Sequence, residues 1–174
     1  EANKIRTEID QYVEAERLYR KLLKRLEDSG SLADGEETQR LQLLDRLGKI
    51  NALYLHDYAQ AIADYGQLVR HYPKSDQAFA ARAMVADIYQ HKLSDLNAAV
   101  DELQKLVAEF PSRRETRWAQ LQIVQAYFQL KNYEQARREA EALISRWPDS
   151  PEVAQARFQI ANSYYVQSRF AEAI

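Results

Sequence analysis

The stretch YEQARREAEALISRWP, residues 133–148, contains a pattern that recurs along the 174-residue chain. Its opening, YEQAR, matches YAQAI at 58–62, LNAAV at 96–100 and FAEAI at 170–174; the four openings lie 38, 37 and 37 residues apart in chain order. Fifteen residues after the first three openings stands a proline that follows an aromatic residue, and sixteen residues after each proline stands a tyrosine. The prolines are Pro73, Pro111 and Pro148, and the tyrosines are Tyr89, Tyr127 and Tyr164. Such spacing indicates a structural repeat.

Each repeat predicts two amphipathic helices. The first helices align as FAARAMVADIY (79–89), RWAQLQIVQAY (117–127) and AQARFQIANSY (154–164), with apolar residues and the tyrosine on one face. Small residues, such as Ala99 and Ala136 in the second helices, allow close helix crossing. The gap from the tyrosine to the next opening is 7 residues after Tyr89 and 6 in the other repeats, which predicts one extra residue in a turn. The predicted helices are 3–28, 36–55, 58–71, 75–92, 95–109, 112–130, 133–146 and 150–168.

Residues near the predicted helix starts agree with these boundaries. Ser75, Ser112 and Ser150 follow the repeat prolines at N-cap positions, and Ser112 with Glu115 predicts a capping box. Pro151 fits the first position of a helix, where its missing N–H has no intrahelical partner to lose. Asn132 with Gln135 predicts a cap for one second helix.

The composition favours an all-α domain and disfavours several functional classes. Four glycines and four prolines leave few break points in the chain. A net charge of −2 gives no general attraction for nucleic acid, so no nucleic-acid partner is expected. The absence of cysteine excludes disulfides, thiolate nucleophiles and Cys-ligated zinc. No apolar run approaches the roughly 18 residues that span a bilayer, so direct membrane insertion by this segment is not expected.

The repeat resembles that of the tetratricopeptide repeat family, in which each unit is a helix–turn–helix with small, aromatic and proline marks. The spacing from Ala99 to Leu106, Val107 and Pro111 matches the second-helix half of the family pattern. Two departures are the longer period and the residues that replace an early tryptophan of the first helix, which are Arg82, Gln120 and Arg157. The aromatic-proline pairs and the YPKSD and WPDSP turns are most similar to the subgroup in bacterial cell-envelope proteins, which includes the outer-membrane assembly lipoprotein and the Tol–Pal coordinator.

The resemblance implies a right-handed α-solenoid of helix–turn–helix repeats preceded by a long N-terminal helix. The expected divisions are an N-terminal helix and linker at 1–35 and repeats at 36–73, 74–111, 112–148 and, truncated, 149–174. RFAEAI at 169–174 then opens the second helix of a fourth unit, so we expect the chain to be a piece of a longer array. Apolar surface at this edge, with possible self-association, is expected at Phe158, Tyr165, Phe170, Ala171, Ala173 and Ile174.

No pattern in the sequence predicts catalysis or a bound metal or cofactor. The three histidines, His56, His71 and His91, have no i, i+4 partner, so surface or turn positions explain them better than metal binding. Gly-rich phosphate loops, G-x-S-x-G and H-E-x-x-H are absent. The basic residues of the first helix, Arg17, Arg20, Lys21, Lys24 and Arg25, suit either a solvated face or contact with anionic lipid or an acidic partner. The same helix carries an apolar stripe of Ile5, Ile9, Tyr12, Tyr19, Leu22, Leu23 and Leu26.

The resemblance places the candidate binding residues on the first helices, which line the concave face in this family. The candidates form rows of amides and aromatic side chains that could bind a protein or peptide; they are Asp87, Trp118, Gln122, Gln125, Phe128, Gln155, Gln159, Asn162 and Tyr165. Lys and Arg are missing from these rows, so the family's clamp for a C-terminal carboxylate is not expected. Alternatively, the glutamines only favour helix formation. Trp147 occupies the aromatic-proline position and is expected to pack, whereas Trp118 is a candidate contact.

We therefore expect a non-enzymatic scaffold for protein–protein interaction in a bacterial envelope complex, either periplasmic or attached to the outer membrane. The alternative is a cytoplasmic adaptor or regulatory module of a larger protein. A more distant alternative is an accessory domain of an enzyme, which would require convergent charged side chains in a concave pocket.

Overall fold

The computed structural model describes residues 2–30 and 33–173. These residues form α-helices, two π-helical segments and turns without a strand, so the all-α prediction is confirmed. The helices are α1 (Ala2–Asp28), α2 (Asp34–Ile50), α3 (Tyr58–His71), α4 (Asp76–Asp87), α5 (Leu96–Glu109), α6 (Thr116–Gln129), α7 (Tyr133–Arg146) and α8 (Glu152–Tyr165). The chain divides into two compact units that meet in sequence at Ile88 and Tyr89.

The turn before each second helix has the same backbone geometry. His56, Ser94, Lys131 and Ser168 all have left-handed backbones, with φ of 55, 55, 59 and 58°. The next residue caps α3, α5 or α7 through its side-chain oxygen: the Gln60 N–H donates to Asp57 at 3.0 Å, Ala98 to Asp95 at 3.0 Å and Gln135 to Asn132 at 3.2 Å. The predicted Asn132 cap is thus confirmed. Arg169 follows Ser168, and the described residues after it form turns without helix.

The predicted serine caps are right only in part. Ser75 caps α4, because its Oγ accepts the Ala78 N–H at 3.0 Å. The Ser112–Glu115 capping box is wrong, since α6 begins at Thr116 and residues 111–115 form turns. The Thr116 hydroxyl is buried and donates to the Phe110 carbonyl at 2.6 Å, which anchors the late helix start. Ser150 also makes no side-chain cap, although Pro151 has helical dihedrals immediately before α8.

Two helices continue into π-helical segments. These segments are Asn51–Leu55 after α2 and Ile88–Lys92 after α4. The extra residue of the second repeat lies here, because Tyr89 is five residues before the left-handed Ser94, whereas Tyr127 is four before Lys131. The prediction that a turn holds this residue is therefore wrong: the wider π-helical turn accommodates it inside the helix.

The first unit has a core of leucines and one tyrosine between α2 and α3. Its most deeply buried side chains include Leu44, Leu47, Tyr65 and Leu68. α1 packs on α2 and on the segment Asn51–Leu55, and Tyr12 stacks on Tyr54 with ring centroids 3.9 Å apart. The predicted apolar stripe of α1 is only partly buried, because Leu23 is buried while Ile9 and Leu22 are exposed. The side chain of Ile5 lies outside the described residues.

An ion pair between a half-buried arginine and a buried carboxylate joins α1 to α3. The Arg20 guanidinium donates to both carboxylate oxygens of Asp64, at 2.6 and 2.8 Å, and also to Glu16. Asp64 is fully buried and accepts further hydrogen bonds from the amides of Asn51 and Gln60. Arg20 therefore does not belong to an exposed basic cluster, contrary to the sequence interpretation.

The aromatic residue before Pro73 is tied to α2 by polar contacts. The Tyr72 hydroxyl donates to the Glu37 carboxylate and accepts from Arg40 Nε at 2.7 Å. Burial and the bond to Glu37 raise the pKa of Tyr72, while the hydrogen bond from Tyr72 lowers the pKa of Glu37. This pair fixes the start of α2 against the turn that follows α3.

The second unit has its own apolar core among α6, α7 and α8. The cluster consists of Leu121, Val124, Ala140, Leu143, Val153 and Ala156. Ile144, Trp147 and Ile160 pack against it, so the packing role expected for Trp147 is confirmed. The fully buried Ala99, Ala136 and Ala156 agree with the small residues predicted at helix crossings.

Candidate functional site

The second unit places six of the candidate residues on two contacting helices. Trp118, Gln122 and Gln125 follow one another at offsets of four and three on α6, and Gln155, Gln159 and Asn162 repeat these offsets on α8. The two rows are 37 residues apart position by position, and α6 contacts α8. Because the two rows occupy equivalent positions of successive repeats and their helices are in contact, the rows lie side by side. We call these six residues the amide face.

The amide face remains accessible. Trp118 is 44% exposed, Gln155 is exposed, and the other four side chains are half-buried. Among the described residues, no hydrogen bond engages the side chains of Gln122, Gln125, Gln155 or Asn162. Gln159 Oε1 is buried and has no hydrogen-bond partner in the chain. A buried amide oxygen without a donor is costly, so this atom favours a water molecule or an external N–H at the site.

Aromatic rings mark the ends of both rows. Phe128 is half-buried and meets Tyr133 edge to face, with centroids 5.2 Å apart. Tyr165 is 64% exposed and meets Phe170 in the same way at 5.5 Å. The equivalent aromatic side chains therefore differ: Phe128 belongs largely to the packing of the α6–α7 turn, whereas Tyr165 remains available for contact.

Asp87 is the equivalent of Gln125 and Asn162 in an earlier repeat. Asp87 is the last residue of α4 in the first unit, and its side chain is exposed. It has an electrostatic or hydrogen-bonding interaction within the chain. The amide face is therefore defined by residues of the second unit alone, and the assignment of Asp87 to the binding site stays a prediction.

The sequence interpretation missed a polar network on another side of α6. Gln120 is 6% exposed and donates to Glu139 Oε2 at 2.7 Å, and Gln135 donates to Glu139 Oε1 at 2.9 Å. A cavity of about 320 Å³ adjoins the network, lined also by Val107, Ile123 and Arg146. The sequence signal for this network is Gln120, which stands where the family has an early tryptophan. This replacement was interpreted only as a departure from the family pattern.

Arg137 is a second buried polar residue that was missed. Arg137 is 9% exposed, and its Cζ atom lies 4.3 Å from the centroid of the Tyr164 ring. Its guanidinium donates to Ser163 Oγ and to Gln167 Oε1. Its place in the repeat opening is taken by Ile62 and Val100 elsewhere, and this break in the apolar pattern was the available signal. The C-terminal end of α8 favours a cation here.

Residues 2–30 and 33–173 contain neither a candidate metal site nor a helix that could span a membrane. No cluster of three or more His, Cys, Asp or Glu in this part of the chain could hold a metal ion. His56 lies 3.4 Å from the Tyr58 hydroxyl, in a turn. None of the described helices combines the length and apolar character needed to cross a membrane.

Comparison with known protein families gives one match within each unit. Residues 42–75 match the model of the tetratricopeptide repeat, and residues 89–173 match the model named outer membrane lipoprotein (YfiO). No curated protein matches the chain in sequence.

Several solved structures share the fold at low sequence identity. A crystal structure of MamA is 21% identical, with a TM-score of 0.60, and the match covers 98% of this chain and 81% of that one. BtubC (BKLC) from P. vanneervenii is 14% identical, with a TM-score of 0.64 and coverage of 97% and 71%. A Podosopora anserina protein of nearly identical TPR-like repeats is 15% identical, with a TM-score of 0.59 and coverage of 99% and 91%. These similarities confirm the predicted class, an α-solenoid of helix–turn–helix repeats.

Proposed function

We propose that the chain, in which residues 42–75 match the tetratricopeptide repeat model, is a non-enzymatic scaffold whose amide face binds an extended or helical segment of a protein partner. The observation that carries this proposal is the set of amide side chains without partners beside the exposed Trp118. Stacked repeats leave one face of the first helices uncovered, which suits binding along the array.

The chemistry of the amide face favours a peptide backbone as its ligand. Each glutamine or asparagine amide offers both a donor and an acceptor, so it can pair with a backbone C=O or N–H. Gln159 Oε1 is buried without a donor, and a rotation of this side chain towards the surface would let it accept an N–H from the partner. Trp118 and Tyr165 supply apolar area with few rotatable bonds. We propose no nucleic-acid partner, since this face has no cation.

We place the scaffold in a bacterial envelope complex, in the periplasm or attached to the outer membrane. The match of residues 89–173 to the outer membrane lipoprotein model supports this location. Fractionation of cells that produce the full-length protein tests it. Recovery with the periplasm or the outer membrane is expected, whereas recovery in the cytosol would support the alternative of a cytoplasmic adaptor.

Two finer features belong to the same proposal. The repeats are divided at 36–73, 74–111, 112–148 and 149–174, after an N-terminal segment at 1–35. The apolar side chains near the end of α8 allow two copies to associate, and they include Phe158, Tyr165 and Phe170, which are 62, 64 and 56% exposed. Ile174, which was also assigned to this edge, lies outside the described residues.

A quantitative pull-down with the full-length protein tests the amide face. The combined substitutions Trp118→Ala, Gln125→Ala and Asn162→Ala should reduce partner recovery about tenfold or more, because they remove the aromatic anchor and two amides. The matched control combines Asp101→Ala, Glu141→Ala and Ser145→Ala, at exposed positions of the second helices, and should leave recovery within about twofold. Equal recovery from both variants would overturn the proposal.

A further inference from the structure

The C-terminal half of α1 has an exposed face of basic and apolar side chains. Residues 17–25, RLYRKLLKR, contain no acidic residue. At 100° per residue, Arg17, Lys21, Lys24 and Arg25 occupy one sector of the helix, and Leu18 and Leu22 occupy the next. Leu18 is 49% and Leu22 38% exposed, whereas Leu23 on the opposite side is buried.

The cations of this face have almost no internal partners. Arg20 points inward to Asp64 and does not contribute. Among the described residues, Arg17 pairs with Glu14 at 3.6 Å; the two side chains are 65 and 57% exposed, so solvent screens the pair strongly. Lys21, Lys24 and Arg25 are exposed and lack a carboxylate partner among the described residues. The positive charge therefore remains available to an external ligand.

A groove between α1 and α2 adjoins this face. It consists of cavities of about 400 and 140 Å³ that share Leu22 and Gln39. Leu26 and Leu43 add apolar lining, and the groove is flanked by Arg25 on α1 and by Arg46 on α2. Arg46 is held over the Tyr19 ring at 5.7 Å and donates to the Tyr19 hydroxyl at 3.2 Å. A floor of leucine and glutamine side chains thus lies between Arg25 on one side and Arg46 on the other.

We propose that the groove between α1 and α2 is a second docking surface, which binds an acidic amphipathic helix of a protein partner. Two packed helices leave a groove into which a third helix can lay an apolar stripe, and carboxylates on both sides of that stripe would meet Lys21, Arg25 and Arg46. The site is independent of the amide face, which lies in the other unit.

The charge pattern favours an acidic helix over an anionic membrane. The basic segment 17–25 covers only about two helical turns, roughly 12 Å. Exposed acidic residues flank it, with Glu14 before it and Glu27 and Asp28 after it, and Glu36 lines one end of the groove. A flat anionic surface would meet these carboxylates together with the cations, whereas a narrow helix in the groove need not.

Fluorescence anisotropy with the 174-residue chain tests the proposal. The probe is a labelled peptide of about 18 residues made of Leu, Ala and Glu, with the leucines at helical spacing and the glutamates beside them. Two reference peptides replace Glu by Lys or Leu by Ala. We expect the acidic peptide with leucines to bind at least about tenfold more tightly than either reference peptide.

Variants of the chain locate the binding. The combination Lys21→Glu, Lys24→Glu and Arg25→Glu should weaken binding about tenfold or more, and so should Leu18→Ala with Leu22→Ala. Matched controls are Lys74→Glu, Lys92→Glu and Arg114→Glu, which change net charge equally, and Leu53→Ala with Leu93→Ala, whose leucines are 50 and 47% exposed. The controls should stay within about twofold, as should the triple variant of the amide face. Circular dichroism verifies the fold of each variant.

Three results would overturn the proposal. The first is equal binding of the acidic and basic peptides. The second is a loss of binding in the charge variant but not in the leucine variant, because that result would reduce the effect to general electrostatic attraction. The third is a higher affinity for vesicles of phosphatidylcholine and phosphatidylglycerol, measured by sedimentation, than for the acidic peptide. If the charge variant also lost vesicle binding, the face would be a lipid contact.

Discussion

At the scale of single residues, Gly48 shows how closely two helices of the first unit approach. A Cβ added to this glycine of α2 would lie 2.5 Å from the Cε1 atom of Tyr65, whose ring is only 2% exposed. Gly35 lies in the same helix and has no atom within 4 Å of its added Cβ. The two glycines therefore separate the effect of packing from the intrinsic preference of alanine for a helix.

We expect Gly48→Ala to lower the free energy of unfolding by up to about 2 kcal/mol. Overpacking against a buried ring costs about 1–3 kcal/mol, while alanine gains about 1 kcal/mol in helix propensity. Gly35→Ala should be neutral or stabilising, since only the propensity term applies. Urea unfolding of both variants measures the difference, and equal stabilities would contradict the close approach.

The pair of Arg20 and Asp64 is the second informative contact at this scale. Asp64 is fully buried, and its carboxylate depends on Arg20, Asn51 and Gln60. Removal of the arginine would leave a buried carboxylate with amide donors alone. Such a loss is far more costly than the loss of a surface ion pair.

Arg20→Met should reduce the free energy of unfolding by about 2–4 kcal/mol, below the upper end for buried pairs because the Arg20 side chain is 30% exposed. Arg17→Met on the same helix serves as the control and should change it by less than about 0.5 kcal/mol. Denaturant titrations provide both numbers. A similar small effect for both variants would show that α1 does not depend on the buried pair.

At the scale of the helices, similar sequences begin α4 and α6 in different ways. Ser75 and Ser112 both follow a repeat proline, but only Ser75 caps a helix. α4 begins directly after Ser75. The residues directly after Ser112 are not helical, and α6 begins only at Thr116, whose hydroxyl donates to the carbonyl of Phe110 at the end of α5.

Ser75→Ala should destabilise the chain by about 1 kcal/mol through loss of the cap, whereas Ser112→Ala should change stability by less than about 0.5 kcal/mol. Thermal unfolding followed by circular dichroism compares the two. Equal destabilisation would mean that Ser112 caps α6 in solution. Thr116→Val is a further check, because it removes the hydroxyl that holds the late helix start.

At the scale of the whole molecule, exposed apolar side chains gather near the end of α8. Phe158, Tyr165, Val166 and Phe170 are between 46 and 64% exposed, and the rings of Tyr165 and Phe170 are in contact. Their helical spacing, with offsets of seven and eight residues along α8, places the first three on one face. Apolar patches of this kind are typical of interaction surfaces.

We expect the 174-residue chain to self-associate through this patch at about 100 µM, because burial of each aromatic ring removes apolar area from water. Sedimentation equilibrium should give a mass above that of the monomer, and Phe158→Ser with Phe170→Ser should restore the monomer. Leu93→Ser, at another exposed apolar position, is the control and should leave the mass unchanged. A monomeric parent chain would contradict the prediction.

The sequence by itself determined the features that depend on near neighbours in the chain. The repeat period, the helix order, the small residues at crossings and the Asn132 cap follow from residues within about one repeat of each other. Helical periodicity and capping are local, since they join side chains and backbone groups a few residues apart. The rows of the amide face were predictable for the same reason, because equivalent positions of successive repeats occupy equivalent places.

Only the tertiary structure decided which side chains turn inward and which polar atoms stay without a partner. By sequence Arg20 groups with its basic neighbours, but in the structure it turns inward to pair with the buried Asp64, 44 residues later in the chain. The exposed Leu22 and the unpaired Gln159 oxygen likewise depend on what lies across from them. Burial and hydrogen-bond pairing are properties of surfaces that meet in space, and residues far apart in sequence supply the opposing surface.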